Sequence, residues 1–283
     1  MEPSFPPLPQ FYVPHHFRLG VPSYVYPADI LPNVEALAPL VDDIELVLFE
    51  SSPEVRGQKS EVSLTNLPSA NTIARLAKLA QQHDLTYTVH FPIDRHLGSP
   101  DIKERRALQK QMLAIMDRTR PLRPYAYILH LEGITRDSAS ARVRAWASDI
   151  AELLPALIKR AGNPALLCVE NLNYPFAWCE PLLDTFGLGV CIDLGHLWVC
   201  GDNTETHLKR HLPKTRVIHL HGVRDGHDHL ALTTLPSSCL RQTLNSIDNF
   251  TGVLTLEIFN YEKVRNSIAC LNQLSPVKHG CPR

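Results

Sequence analysis

Eight short apolar runs, separated by segments of helical period, constrain this fold more than any other feature of the chain. They fall at residues 18–23, 44–49, 87–90, 127–131, 166–170, 189–192, 217–220 and 253–257. Each holds four to six residues rich in Val, Ile, Leu and Tyr, the composition of strands buried on both faces of a parallel sheet. Between them, residues 71–83 place Ile73, Leu76, Ala77 and Ala80 on one helical face, behind Ser69 as a cap. Longer amphipathic helices are predicted over 103–118 and 141–160, the second stopped by Gly162 and Pro164. Shorter ones fit 30–40, 178–186, 204–211, 237–247 and 261–274. Eight strands alternating with eight helices predict an α/β chain folded as a single closed (β/α)8 barrel. A doubly wound open sheet would set a glycine-rich phosphate loop after its first strand, and Gly20-Val21-Pro22-Ser23 is no such loop. Residues 1–16, rich in proline and aromatics and without period, read as an N-terminal arm, leaving 17–283 as the barrel domain.

Charge narrows the function. Lys and Arg total 28 against 29 Asp and Glu, a net charge of -1, which argues against a nucleic-acid partner because such proteins need excess positive charge to displace counterions. No apolar stretch is long enough for a membrane span, and the start MEPSFPPLPQ lacks the basic and apolar regions of a secretory signal. Seven cysteines, odd in number and never in a CxxC, fit neither a disulfide scaffold nor a zinc knuckle. A reducing cytoplasm is the expected setting. Fourteen histidines without a charge excess point to metal or acid–base chemistry.

What ends each run is the informative detail, because function in such barrels sits at the C-terminal ends of the strands. The third run ends at His90, the fourth holds His130, and the fifth ends at Glu170. The sixth leads into Asp193 and His196, the seventh holds His219 with His221 just beyond, and the eighth ends at Glu257. One such residue is ordinary for a hydrogen-bonded loop. Six strands in a row are not, since converging carboxylates and imidazoles stay costly to bury unless a cation sits among them. Mixed imidazole and carboxylate ligation suits zinc, manganese or iron. After the seventh run comes Arg224-Asp225-Gly226-His227-Asp228-His229. On an extended loop His227 and His229 would point to the same side.

Taken in order, His90, His130, Glu170, Asp193, His196, His219, His229 and Glu257 resemble the xylose-isomerase-like barrel superfamily, also called AP endonuclease family 2. The superfamily includes sugar isomerases and epimerases and abasic-site nucleases of the endonuclease IV type. For the one-metal isomerases the resemblance implies a site at Glu170, Asp193, His219 and Glu257. For the nuclease branch it implies further ligands at His90, His130, His196 and His229 and a three-metal phosphodiester hydrolase. That branch has an Asp two residues before its last loop His, where this chain has His227, with Asp228 beside it. Residues 17–51, together with GHDHL at 226–230, look closer to the cobamide-remodelling phosphodiesterases of the CbiR-like branch. Those enzymes cut the nucleotide loop from complete corrinoids.

The resemblance therefore implies two or three divalent transition metals per chain, zinc first, and a small corrinoid substrate. Glu170 would bridge two metals, with His90 and His130 completing one and Asp193, His219 and Glu257 the other. His196, His227 and His229 would hold the third, and Arg224 would contact the phosphate beside the catalytic carboxylates Glu170 and Glu257. Tyr24, Tyr26, Tyr174, Phe176 and Trp178 are candidate flat faces for a corrin or a base. The alternatives are a one-metal sugar isomerase or epimerase, an abasic-site nuclease, and a non-catalytic corrinoid- or metal-binding protein.

Overall fold

In a computed structural model that describes residues 7–12, 15–47 and 67–274, eight parallel strands close into a barrel. They are β1 (Arg18–Pro22), β2 (Asp43–Val47), β3 (Thr86–His90), β4 (Ala126–Leu129), β5 (Leu167–Glu170), β6 (Gly189–Asp193), β7 (Thr215–Leu220) and β10 (Val253–Leu256). Each pairs with the next in sequence, and β10 closes the ring between β7 and β1. The expected eight strands are all present. Positions 48 and 49 of the second run, 48–51 of the corrinoid-enzyme resemblance, part of the arm and Cys281 lie outside the described residues.

Helices α1 (Ile30–Leu37), α2 (Ala70–His83), α3 (Ile102–Thr119), α4 (Ser140–Ala151), α5 (Leu154–Ala161), α6 (Glu180–Phe186), α7 (Leu194–Cys200), α8 (Thr204–His211), α9 (Ser237–Ser246) and α10 (Tyr261–Leu274) surround the ring. The Ser69 hydroxyl caps α2, accepting from the Thr72 amide at 3.0 Å, as the sequence predicts. The single helix expected over 141–160 is instead two. Pro155 lacks the amide that would reach Ala151, and its ring would crowd that carbonyl, so the chain restarts there. Two further elements go beyond the expected pattern: α7 directly after β6, and a hairpin of β8 (Gly222–Arg224) and β9 (His227–Leu230). Its Asp225-Gly226 turn has φ of 53° and 78°, the two positive values of a tight primed turn.

Alternation along the strands sorts side chains into two cores. Ala126, Ile128, Cys168, Cys191, Val217 and Val253 fill the inside of the ring. Outward residues such as Val169, Ile192, Ile218 and Leu254 meet the helices in the larger core. The inner apolar layer is the floor on which the next inward residues stand, Glu170, Asp193 and His219, with Thr255 level with His219 and Glu257 two residues beyond it. Leu8 of the arm is buried in the outer core, and the Asn272 amide nitrogen donates to the Gln10 carbonyl at 2.9 Å, tying the arm to α10. No helix among the described residues is long and apolar enough to cross a membrane.

Candidate metal centre

The C-terminal mouth gathers most of the residues singled out from sequence. His90 ends β3, His130 follows β4, Glu170 ends β5, Asp193 ends β6, His219 lies in β7 and Glu257 follows β10. Among the groups whose potential ligand atoms lie within 4.8 Å of one another are His90, His130 and Glu170, and Glu170, Asp193, His219 and Glu257. Glu170 belongs to both. His196 and His229 meet a few ångströms away, with His221 beside them.

Whether these groups fit a metal is decided by which ring nitrogens are free. An imidazole that ligates through one nitrogen usually donates its other N–H to a carbonyl or carboxylate, which fixes tautomer and orientation. Five imidazoles here follow that pattern. His90 Nδ1 donates to the Phe91 carbonyl at 2.8 Å and His196 Nδ1 to the Asn171 carbonyl at 3.0 Å. His229 Nδ1 donates to the Glu257 carbonyl at 2.9 Å, and His130 Nδ1 lies 3.3 Å from Glu132 Oε1. His219 Nε2 donates to Glu45 Oε2 at 2.8 Å. The other nitrogen of each faces carboxylates. His130 Nε2 and His90 Nε2 are 2.9 and 3.5 Å from Glu170 Oε2. His219 Nδ1 is 3.1 Å from Glu257 Oε2, yet both atoms are buried without a hydrogen bond. Buried polar atoms left in that state are expensive, and a divalent cation ligated by both would satisfy them. The donor set fits a metal.

His221 is the exception. Its Nδ1 accepts from the His229 amide at 3.0 Å, and its Nε2 lies 3.1 Å from both Asp193 oxygens. With its nitrogens against the His229 amide and Asp193, His221 ties the central group to the outer one, and it also stands with His196 and His229 in a group that could hold an ion. The free Nε2 atoms of His196 and His229 instead each sit 4.0 Å from an oxygen of Asp228. Asp228 is thus a candidate to join His196 and His229 around a third ion.

The sequence explains how these side chains are aimed. Asp193 caps α7, accepting from the His196 amide at 2.6 Å. Its own backbone is bracketed by Asn171, which donates to the Asp193 carbonyl at 2.9 Å and accepts its amide at 2.8 Å. Gly195 leaves room for the His221 ring, because a Cβ there would fall 1.9 Å from His221 Cε1.

Burial alone would push these carboxyls up and these imidazoles down, and mutual pairing reverses both. Glu170, against burial, is held well below the usual carboxylate range by His130 and His219. His130, against burial, is pushed up to about 10 by Glu170 and Glu132, and His221 to about 9 by Asp193. The cluster demands cationic charge at its centre, and a divalent ion is the alternative to protons.

A cavity of about 700 Å³ opens beside these groups, lined by His130, Glu132, Tyr174, His196, Cys200 and Asp228 among others. A second of about 710 Å³ lies at the opposite end, around Tyr125 and Arg216, away from the metal-binding groups.

Two expected site residues are not brought in. His227 is exposed on β9, and His229 adopts φ 48°, so the loop is not extended between them and the two rings do not share a side. Arg224 is exposed on β8, paired with His227, and is not among the residues lining the cavity. Of the aromatics, Tyr26 stacks on Tyr261 at 5.4 Å and Trp178 on Tyr174 at 6.2 Å. Phe176 packs on His207 and His211. These three rings serve packing, and Tyr174, whose hydroxyl donates to the Leu131 carbonyl, also borders the cavity. Sequence reasoning missed Glu45, Asn171 and the support given by His221.

A family model described as a xylose isomerase-like TIM barrel matches residues 42–274. No curated protein matches the chain. Among solved structures, a D-tagatose 3-epimerase-like protein superposes with a TM-score of 0.68 at 18% identity, covering 91% of this chain and 97% of its own. SacUVDE gives 0.65 at 12% identity, with 92% and 99% covered. The TTHB071 protein from Thermus thermophilus, in a crystal soaked with ZnCl2, gives 0.63 at 23% identity, with 94% and 100% covered. At these identities the likeness is one of fold.

Proposed function

The chain belongs to the xylose isomerase-like TIM barrel family, and from that premise we propose that it is a multi-metal phosphodiesterase acting on the nucleotide loop of a cobamide. The observation that carries the hydrolase half is the sharing of Glu170 between two ligand groups. A one-metal isomerase needs Glu170, Asp193, His219 and Glu257 and gives no role to His90, His130, His196 or His229, each with its second nitrogen anchored. Divalent ions at such a site supply Lewis acidity that lowers the pKa of water and neutralises phosphate oxygens.

The protein's own part is orientation. His90 and His130 flank one side of Glu170 and His219 the other, so the shared carboxylate has its position fixed from both sides. Asp228 and His196 line the cavity, where a third positive charge would offset charge building on the phosphate. The corrinoid half rests on the resemblance of residues 17–51 and of GHDHL at 226–230 to the cobamide-remodelling enzymes, and the net charge of -1 disfavours abasic DNA.

A second reading is a one-metal sugar epimerase. Its support is the likeness of fold to the D-tagatose 3-epimerase-like protein and a complete four-residue group. Incubating the metal-loaded enzyme with an intact cobamide and, separately, with a ketohexose decides between them. Release of a cobinamide-type product with the sugar unchanged is expected. Epimerised sugar beside an intact cobamide would overturn the assignment.

A further inference from the structure

We infer that Glu45 is a positioning residue for the metal centre, fixing His219 in the tautomer and orientation that present Nδ1 to the ion; the inference rests on the metal reading above. Glu45 lies on β2, 174 residues before His219, and the two meet inside the ring although β1 and β10 separate their strands. Both side chains are 0% exposed. In a ligating His219 ring the one proton sits on Nε2, where it donates to Glu45 Oε2. Nδ1 is then the lone-pair nitrogen, and it is the atom that faces Glu170, Asp193 and Glu257 at 3.5, 3.8 and 3.1 Å. Without Glu45, the proton is free to move to Nδ1 and the ring is free to turn. Glu45 itself is a member of none of the ligand groups. Its other oxygen, Oε1, is buried without a hydrogen bond, an expense the fold keeps for a contact that ends on His219.

A merely structural pair and a positioning pair separate on metal affinity. Glu45→Gln keeps an oxygen able to accept from Nε2 but loses the charge, and Glu45→Leu loses both. Zinc affinity of each variant is measured by competition with a chromogenic chelator, beside thermal melting of the metal-free chains. Loss of a group that orients a ligating imidazole costs about 10–100-fold in affinity, so Glu45→Leu should fall in that range and Glu45→Gln less. Zinc affinity unchanged in both variants, or Glu45→Gln failing to fold without metal, would overturn the inference alone. A wild-type chain that binds no zinc would overturn the metal reading and the inference with it.

Discussion

His221 Nε2 stands 3.1 Å from both carboxylate oxygens of Asp193, while the amide of His229 donates to His221 Nδ1. One fully buried imidazole therefore joins a carboxylate of the central group to the loop that carries the outer one. It spends both nitrogens doing so.

The first prediction follows from that arrangement. His221→Ala should leave the number of bound metals unchanged at saturating zinc while weakening their retention about 10–100-fold, the scale for loss of an outer partner. His229→Ala should instead lose one ion. Gly195→Ala should resemble His221→Ala, because its Cβ would occupy the place of the His221 ring. Metal analysis under graded chelator separates these outcomes; loss of a whole ion in His221→Ala would make it a ligand.

The second prediction concerns the loop. Asp228→Ala and His229→Ala should each lower hydrolytic turnover by about 10²–10³, the scale for removing one group that stabilises charge in a transition state. His227→Ala, at an exposed position, should be near wild type. Steady-state rates on one phosphodiester suffice, and the reverse order for 227 and 228 would contradict the assignment.

Away from the site, the His207 and His211 rings meet at 4.6 Å in a tilted contact, both packed on Phe176. Burial lowers both to about 4, helped for His207 by His211 and for His211 by Arg210 and Lys214. Glu180, 3.5 Å from His211, is already paired with Arg210. An imidazole that protonates less readily folded than unfolded costs nothing above about 6.5 and destabilises progressively as pH falls toward 4. His207→Gln should therefore gain melting temperature relative to wild type between pH 7 and 4, measured with chelator present. A constant difference across that range would show that the pair does not titrate as described.

Much of the fold and the site is legible in the chain, and particular residues show why the rest is not. Strand ends announce His90, His130, Glu170, Asp193, His219 and Glu257, because a parallel barrel collects them at one mouth. Glu45 is hidden inside the second apolar run, where Asp43 and Glu45 alternate with Ile44 and Leu46. That period of two is the signal of a strand whose polar residues face inward, and an apolar-run criterion does not register it. Asp225-Gly226 marks a hairpin by its turn chemistry. The positive φ at His229 leaves no such mark, so an extended loop favours His227 over Asp228. The break between α4 and α5 is written in the sequence at Pro155, where hydrophobic period alone runs straight through.

The most direct test of the central claim, a multi-metal centre built around Glu170, is metal stoichiometry of the active protein and of Glu170→Gln. The wild type should hold two or three transition-metal ions per chain, and the variant should lose at least one ion and nearly all turnover. One ion per chain in fully active protein, or wild-type metal content with substantial activity in Glu170→Gln, would contradict it.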